Sequence, residues 1–199
     1  MRRIMLAAIL ITGFSITTKA QQVTKIDVDK STVIWKGSSL FGFGGHEGTV
    51  KIKEGQLRKT NDKIVGGTFI MDMTTIANTD GGYNEDLVGH LKNGDFFDVE
   101  EHPTAKLVIT RVKYHDQSNT PKSDLVYIRI NGILTIKGNA LPIEFEAEIH
   151  PKDTQIRARM KIDRTRWDVS FGSKGVSSSM KNSLISDAIE FNISLYMNQ

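Results

Sequence analysis

Apolar and polar side chains alternate along most of the chain after residue 20, as they do in strands with one buried face. In LPIEFEAEIH, residues 141–150, every odd position is apolar, and Glu144, Glu146 and Glu148 lie on the other face. QIRARMKID, residues 155–163, repeats the pattern with basic residues outward. The two segments are therefore predicted to pair acid against base across a hairpin that turns at HPKDT.

Six further segments are predicted to be strands. Alternation continues in DLVYIRINGILTIKG, GGTFIMDMTT and AIEFNISLYMN, and STVIWKG, GTVKIKEGQL and AKLVITRVKY supply three more. Eight strands separated by short turns rich in Gly, Asn, Asp and Lys predict an antiparallel all-β domain, either a barrel or a sandwich. No shift in composition marks a second domain, so we expect one domain over residues 21–199.

One short helix is expected between two of these strands, over about residues 84–93. Helix-starting residue types stand at 84–86, and Leu87, Val88 and Leu91 form an apolar stripe. The stop signal Lys-Asn-Gly follows the stripe. The helix therefore has an apolar face to lay on the sheet.

The first twenty residues have the order of a secretory signal peptide. Arg2 and Arg3 precede the apolar run IMLAAILI, and the small-residue end TTKA follows it. This run is shorter than the roughly 20 residues that a membrane-spanning helix needs. We expect cleavage after Ala20 and a periplasmic or secreted protein that does not span the membrane. The chain contains no cysteine for a lipid anchor or a disulfide.

The charge of the chain gives no reason to expect a nucleic acid partner. The whole sequence carries 26 basic and 23 acidic residues, but Arg2, Arg3 and Lys19 belong to the expected signal peptide. The remaining chain is balanced in charge, so bulk electrostatic attraction does not select a polyanion or an anionic membrane.

The segment HLKNGDFFDVEEHPTAKL, residues 90–107, concentrates histidines and carboxylates and is the candidate for a metal or carboxylate site. No ligand-type residue for a metal stands at the expected spacing after His90, where Asn93 and Gly94 lie, and His102 lies across a predicted turn. Helix-end capping and a turn explain these polar residues more simply. A metal-dependent or carboxylate-dependent hydrolase that uses His90, Asp95 and His102 stays as an alternative function.

The excess of large apolar residues fits two different interiors. An eight-stranded barrel either fills its interior with side chains or holds one small ligand. Patterning alone does not separate the two, so a solidly packed barrel that acts as an interaction protein is a further alternative.

Four segments together resemble one known family. HLKNGDFFDVEEHPTAKL, INGILTIKGNALPIEFEAEI, KIDRTRWDVSFGS and LISDAIEFNISL are similar, in this order, to segments of the YceI-like family of exported polyisoprenoid-binding proteins. The resemblance implies an extended, lipocalin-like, eight-stranded antiparallel β-barrel that encloses a long isoprenoid or other amphiphilic chain, with no recognised catalytic constellation. Residues 41–48 and 172–182 have no residue-by-residue match to the family. Ligand preference would differ from that of other members at these two stretches.

The resemblance leads to the main functional expectation, a non-enzymatic carrier, store or sequestering protein for a polyisoprenoid such as an isoprenoid quinone. No metal and no other cofactor is expected, and a homodimer is the default assembly. The side chains expected to contact the lipid tail come from the inward faces of the strands, the helix and the turn after it: Trp35, Phe69, Met71, Leu87, Leu91, Phe96, Phe97, Ile128, Ile130, Leu134, Phe145, Ile162, Trp167, Phe191 and Ile193.

Overall fold

Eight antiparallel strands close into a single barrel in the computed structural model, which describes residues 21–39, 44–81, 84–116, 124–173 and 185–198. The expected signal peptide, and most of the unmatched stretch 172–182, lie outside these residues. The strands are β1 (Gln22–Ser39), β2 (Gly45–Thr60), β3 (Lys63–Asn78), β4 (Thr104–Tyr114), β5 (Val126–Ile136), β6 (Asn139–His150), β7 (Gln155–Asp163) and β8 (Ile185–Met197).

Every strand pairs with its neighbours in sequence, and β8 pairs back onto β1 to close the barrel. The predicted antiparallel fold is confirmed, and the β8 to β1 ladder decides for a barrel over a sandwich. The predicted hairpin is confirmed and pairs acid with base, because Glu148 lies opposite Arg157 and Glu146 lies opposite Arg159. These charges face outward, so the acid and base rows form part of the exposed wall.

The two ends of the barrel differ in how they are covered. One end, called here the helix end, carries the β1–β2 turn, the β5–β6 turn and the long β3–β4 and β7–β8 connections. Helix α1 (Asn84–Lys92) and a 3₁₀ turn (Arg164–Trp167) lie in these two long connections. The opposite end, called the far end, carries the β2–β3 turn and a 3₁₀ turn (Pro151–Asp153) between β6 and β7.

The chain after α1 folds into a compact turn rather than an open loop. The helix ends at Lys92, within one residue of the prediction. Phe97 N–H then donates to the Leu91 carbonyl at 3.1 Å, and Val99 N–H donates to the Lys92 carbonyl at 2.8 Å. These bonds satisfy carbonyls that a helix end leaves open, and they direct Phe96 and Phe97 into the core.

The interior of the barrel is apolar because the alternating faces of all eight strands meet there. Ile128 on β5 is fully buried, and Leu57 on β2 and Phe69 on β3 are almost so. Leu91 and Phe96 join the same core from the helix end. Leu91 and Phe96 therefore cover part of the helix end with apolar side chains.

Candidate ligand-binding cavity

An elongated cavity of about 480 Å³ lies inside the barrel. This volume falls in the range of pockets that bind small molecules, roughly 300 to 1,000 Å³. The interior is therefore not filled by side chains, and the solidly packed barrel is not what the structure shows.

Most of the side chains predicted to contact a ligand do line this cavity. They come from β1, β3, α1, the turn after it, β5, β6 and β8, and the barrel brings them around one space. These residues are Trp35, Phe69, Met71, Leu87, Leu91, Phe96, Phe97, Ile128, Ile130, Leu134, Phe145, Phe191 and Ile193. Their contact with a ligand stays a prediction, whereas their place around the cavity is observed.

Two predicted residues are buried away from the cavity wall. Ile162 is 6% exposed and lies opposite Ile189 on β8, where it packs in the core. Trp167 is fully buried and donates from Nε1 to the Leu134 carbonyl at 2.9 Å. Trp167 belongs to a 3₁₀ turn, so the alternation of strand faces does not determine the direction of its side chain.

The prediction omitted a set of aliphatic residues that also line the cavity. They occupy inward positions of the strands, and alternation predicts that face for some of them, such as Ile156 and Met160. Examples are Val33, Val50, Leu57, Ile64, Ile109 and Ile156. What the sequence lacked was a sign of which inward side chains face empty space and which face one another.

The polar residues of the cavity lining lie at one end. Among the described residues they are Ser38, His46, His90, Arg164 and Ser186, and all of them belong to strand ends or connections at the helix end. The far end of the lining is formed by aliphatic side chains such as those of Leu57 and Ile156. The cavity is therefore apolar along most of its length and polar at one end. An amphiphile has its apolar and polar groups in the same arrangement.

Arg164 anchors the polar end without leaving its charge uncompensated. Its side chain is 1% exposed, and the guanidinium donates to the carbonyls of Val169 at 2.5 Å, Ser186 at 3.1 Å and Ile185 at 3.3 Å. Asp187 lies 3.6 Å away. Burial lowers the pKa of Arg164, and the negative charges of Asp187 and Asp163 oppose this effect. The guanidinium thus joins the 3₁₀ turn to β8.

His90 reaches the cavity from α1, and aromatic rings surround it. Its ring centroid lies 4.3 Å from that of Phe171 in an edge-to-face arrangement and 6.1 Å from that of Phe96. The sequence placed His90 on the helix, but its position in the cavity lining depends on how α1 crosses the barrel end.

A polar pocket of about 510 Å³ adjoins the cavity at the helix end. It shares Gly37, Ser38, Gly45, His46 and Ser186 with the cavity lining. The apolar interior is therefore continuous with a polar site at the rim of the barrel.

Opposite charges alternate across four neighbouring strands in the wall of this polar pocket. Lys36 on β1 pairs with Glu47 on β2 at 2.5 Å, and Lys161 on β7 pairs with Glu190 on β8 at 2.9 Å. Glu190 also lies opposite Lys36 in the β1–β8 ladder. The rim therefore carries compensated charges rather than a surface of one sign.

The three candidate hydrolase residues have different surroundings. His90 packs against phenylalanines, whereas the ring of His102 lies next to Gly138, 3.3 Å from where a Cβ would stand. Asp95 is exposed. In the part of the chain that the structure describes, no group of three or more His, Asp or Glu side chains could hold a metal ion.

Within the described ranges, no helix has the length and apolar character to cross a bilayer.

Comparison with known proteins gives one family and a set of related folds. The model of the YceI-like domain family matches residues 25–197. No curated protein sequence gives a significant match to the chain.

Two solved structures share this fold, and the alignment with this chain spans nearly the whole length of each. The crystal structure of BcnA from Burkholderia cenocepacia has a TM-score of 0.65 and 18% identity, with 85% of this chain and 98% of that chain covered. A polyisoprenoid-binding domain from Saccharophagus degradans, implicated in plant cell wall breakdown, has a TM-score of 0.59 and 12% identity, with 88% and 98% covered. At these identities the similarity shows a shared fold.

Proposed function

The chain belongs to the family of YceI-like domains, and from this premise we propose that its barrel binds an amphiphile with a long apolar tail. One observation carries the proposal: the cavity has an aliphatic length and places its polar residues at one end. The tail would lie along the barrel toward the far end, with the polar group of the ligand at the helix end.

A polyprenyl lipid is the ligand class that we propose. The related fold from Saccharophagus degradans is described as a polyisoprenoid-binding domain, which supports the same class here. A methyl-branched chain also suits a wall made of Ile, Val and Phe side chains, since branched groups fill the spaces between them.

The length of the cavity indicates how much of such a tail the barrel holds. Ile128 and Ile136 both line it and lie eight positions apart on β5. At roughly 3.4 Å per residue and a strand tilt of about 40°, they are about 20 Å apart along the barrel axis. An extended carbon chain of this length contains about 16 carbons, given bonds of about 1.5 Å. That corresponds to about four isoprene units.

The tail alone supplies enough free energy for binding. Each buried isoprene unit contributes roughly 2 to 4 kcal/mol at about 0.8 kcal/mol per CH₂-sized group. The free energy gained from about four units equals or exceeds the cost of association, which is roughly 4 to 15 kcal/mol, for most values in the two ranges. Polar contacts are then needed for orientation and selectivity more than for affinity.

We propose that the protein acts by binding, as a carrier, store or sequestering protein, rather than as an enzyme. Its expected export would place it in the periplasm or outside the cell, where it would shield a water-insoluble tail. Export and pairing with a second copy stay predictions from the sequence. The isoprenoid quinone is one candidate ligand within the proposed class.

A titration with an isoprenoid tests this proposal, with one variant that blocks the cavity. Ala158 on β7 lines the cavity, so Ala158→Phe puts a ring into the tail path. Ala140 on β6 is exposed, so Ala140→Phe is the matched control. The wild-type protein and Ala140→Phe should bind a four-unit isoprenoid ketone in an equilibrium partition assay, and Ala158→Phe should bind at least about tenfold more weakly.

The assay also has clear negative outcomes. The proposal fails if the wild-type protein does not bind the ketone, or if Ala158→Phe binds it as tightly as Ala140→Phe does. Circular dichroism of both variants shows that the barrel has formed, so that lost binding is not lost folding.

A further inference from the structure

Two ring nitrogens at the polar end of the cavity are buried without a partner. Trp35 Nε1 and His90 Nε2 make no hydrogen bond with any atom in the described part of the chain. Both side chains line the cavity. A buried N–H that forms no hydrogen bond costs roughly 1 to 3 kcal/mol, so native proteins rarely leave two of them in one apolar site.

Trp35 lies in the part of β1 that leads to the helix end. The residue is 7% exposed on β1, opposite Gly48 on β2 and Phe191 on β8. A Cβ at Gly48 would lie 2.6 Å from Trp35 Cζ2, so glycine leaves the room that the indole ring occupies. An indole nitrogen only donates, and Trp35 therefore needs an acceptor.

Neighbouring contacts show that His90 Nε2 is a donor as well. Asp95 N–H donates to Asn93 Oδ1 at 3.0 Å, which leaves Asn93 Nδ2 facing the histidine. Nδ2 donates to His90 Nδ1 at 3.4 Å. In the neutral ring the proton is then on Nε2, because Nδ1 accepts. Both unpartnered nitrogens are therefore donors that can be satisfied by an oxygen acceptor.

The cavity does not provide that acceptor from an acidic side chain. Within the described residues, its lining contains no aspartate or glutamate. It does not favour an anion either, because Arg164 donates to three carbonyls and lies 3.6 Å from Asp187. A neutral acceptor matches these two N–H groups without adding an unpaired charge to an apolar site.

We infer that the polar end of the ligand carries an uncharged oxygen acceptor, such as a carbonyl group, and that Trp35 Nε1 and His90 Nε2 donate to it. The inference rests on the proposed binding of an amphiphile and adds the chemistry of its polar end. The two donors hold that end beneath α1, while the tail extends toward the far end. They select among ligands that have the same tail.

The test compares two probes that differ only at the acceptor. One is an isoprenoid methyl ketone with about four isoprene units, and the other is the hydrocarbon in which a methylene group replaces the carbonyl. Trp35→Phe and His90→Phe remove the N–H groups and keep an aromatic ring. Each variant should bind the ketone about fivefold more weakly than the wild-type protein does and should bind the hydrocarbon within about twofold of it.

A third variant separates the missing donor from a general effect of changing an aromatic side chain. Tyr127→Phe removes a polar hydrogen from a ring that lies off the cavity lining, and it should leave the affinity for both probes unchanged. Equal weakening of both probes by Trp35→Phe and His90→Phe, or no change for the ketone, overturns the inference alone. A wild-type protein that binds neither probe overturns the proposed function as well.

Discussion

Trp167 Nε1 donates a 2.9 Å hydrogen bond to the carbonyl oxygen of Leu134 in the interior of the helix end. The bond joins the 3₁₀ turn that follows β7 to the last residues of β5, next to the β5–β6 turn. Trp167 therefore supports the wall of the cavity from behind and does not touch its space.

Replacing this donor should destabilise the barrel. Trp167→Phe removes this hydrogen bond, and its smaller ring leaves space in a fully buried site, so the variant should lower the free energy of unfolding by about 1 to 3 kcal/mol. Urea denaturation of the ligand-free protein measures the change.

Trp35→Phe is the matched comparison for that experiment. Trp35 Nε1 donates to no atom of the described chain, so its removal breaks no hydrogen bond of the ligand-free barrel. Its cost should be smaller than that of Trp167→Phe. Equal losses of stability would contradict the different roles that we assign to the two tryptophans.

Arg164 should not tolerate its closest substitute. Lysine keeps the charge but cannot present the planar fork that reaches the carbonyls of Val169, Ser186 and Ile185. Arg164→Lys should therefore destabilise the protein by roughly 3 to 5 kcal/mol, as expected when a buried charged network is broken. Denaturant unfolding gives the value.

An exposed arginine supplies the control for this substitution. Arg159 lies on the outer face of β7 and donates to Asn192 at 3.1 Å. Arg159→Lys should change stability by less than about 1 kcal/mol. If both variants lose the same stability, burial of Arg164 is not the cause.

The charge row at the rim predicts a dependence of stability on pH. A hydrogen bond from Lys161 lowers the pKa of Glu190 below its usual value of 4.5. A carboxyl group whose pKa is lower in the folded state contributes stability that is present above 4.5 and is lost as the pH falls through the folded value.

Glu190→Gln should therefore remove this contribution at neutral pH. The difference in unfolding free energy between the wild-type protein and Glu190→Gln should shrink as the pH falls below 4.5, and it should shrink in high salt. Glu101→Gln, at an exposed turn position, is the matched control. A difference that stays constant between neutral and acid pH would contradict the pairing.

Local sequence patterns were sufficient to predict most of the wall. Alternation predicted a hairpin that pairs acidic with basic side chains, and Glu148 does lie opposite Arg157, because a two-residue period and a short turn restrict the register of a hairpin. The choice between barrel and sandwich depends on the pairing of β8 with β1, which joins the two ends of the chain. Periodicity carries no information on that pairing, and the family resemblance supplied it.

The cavity could be predicted less completely than the wall. Phe69 and Ile162 have the same inward position in the pattern, yet one lines the cavity and the other packs behind it. A local period gives the inward face of a strand but not which inward side chains border empty space. For the same reason His90 was predicted as a helix residue but not as part of the lining.

The most direct test of the central claim is the identity of what the barrel carries from the cell. The protein is purified without detergent and extracted with organic solvent, and the extract is analysed by mass spectrometry. We predict an isoprenoid amphiphile with a neutral oxygen at its polar end, at up to about one molecule per barrel, and a clearly smaller amount from Ala158→Phe. Repeated extracts of the wild-type protein that contain no amphiphile would contradict the account.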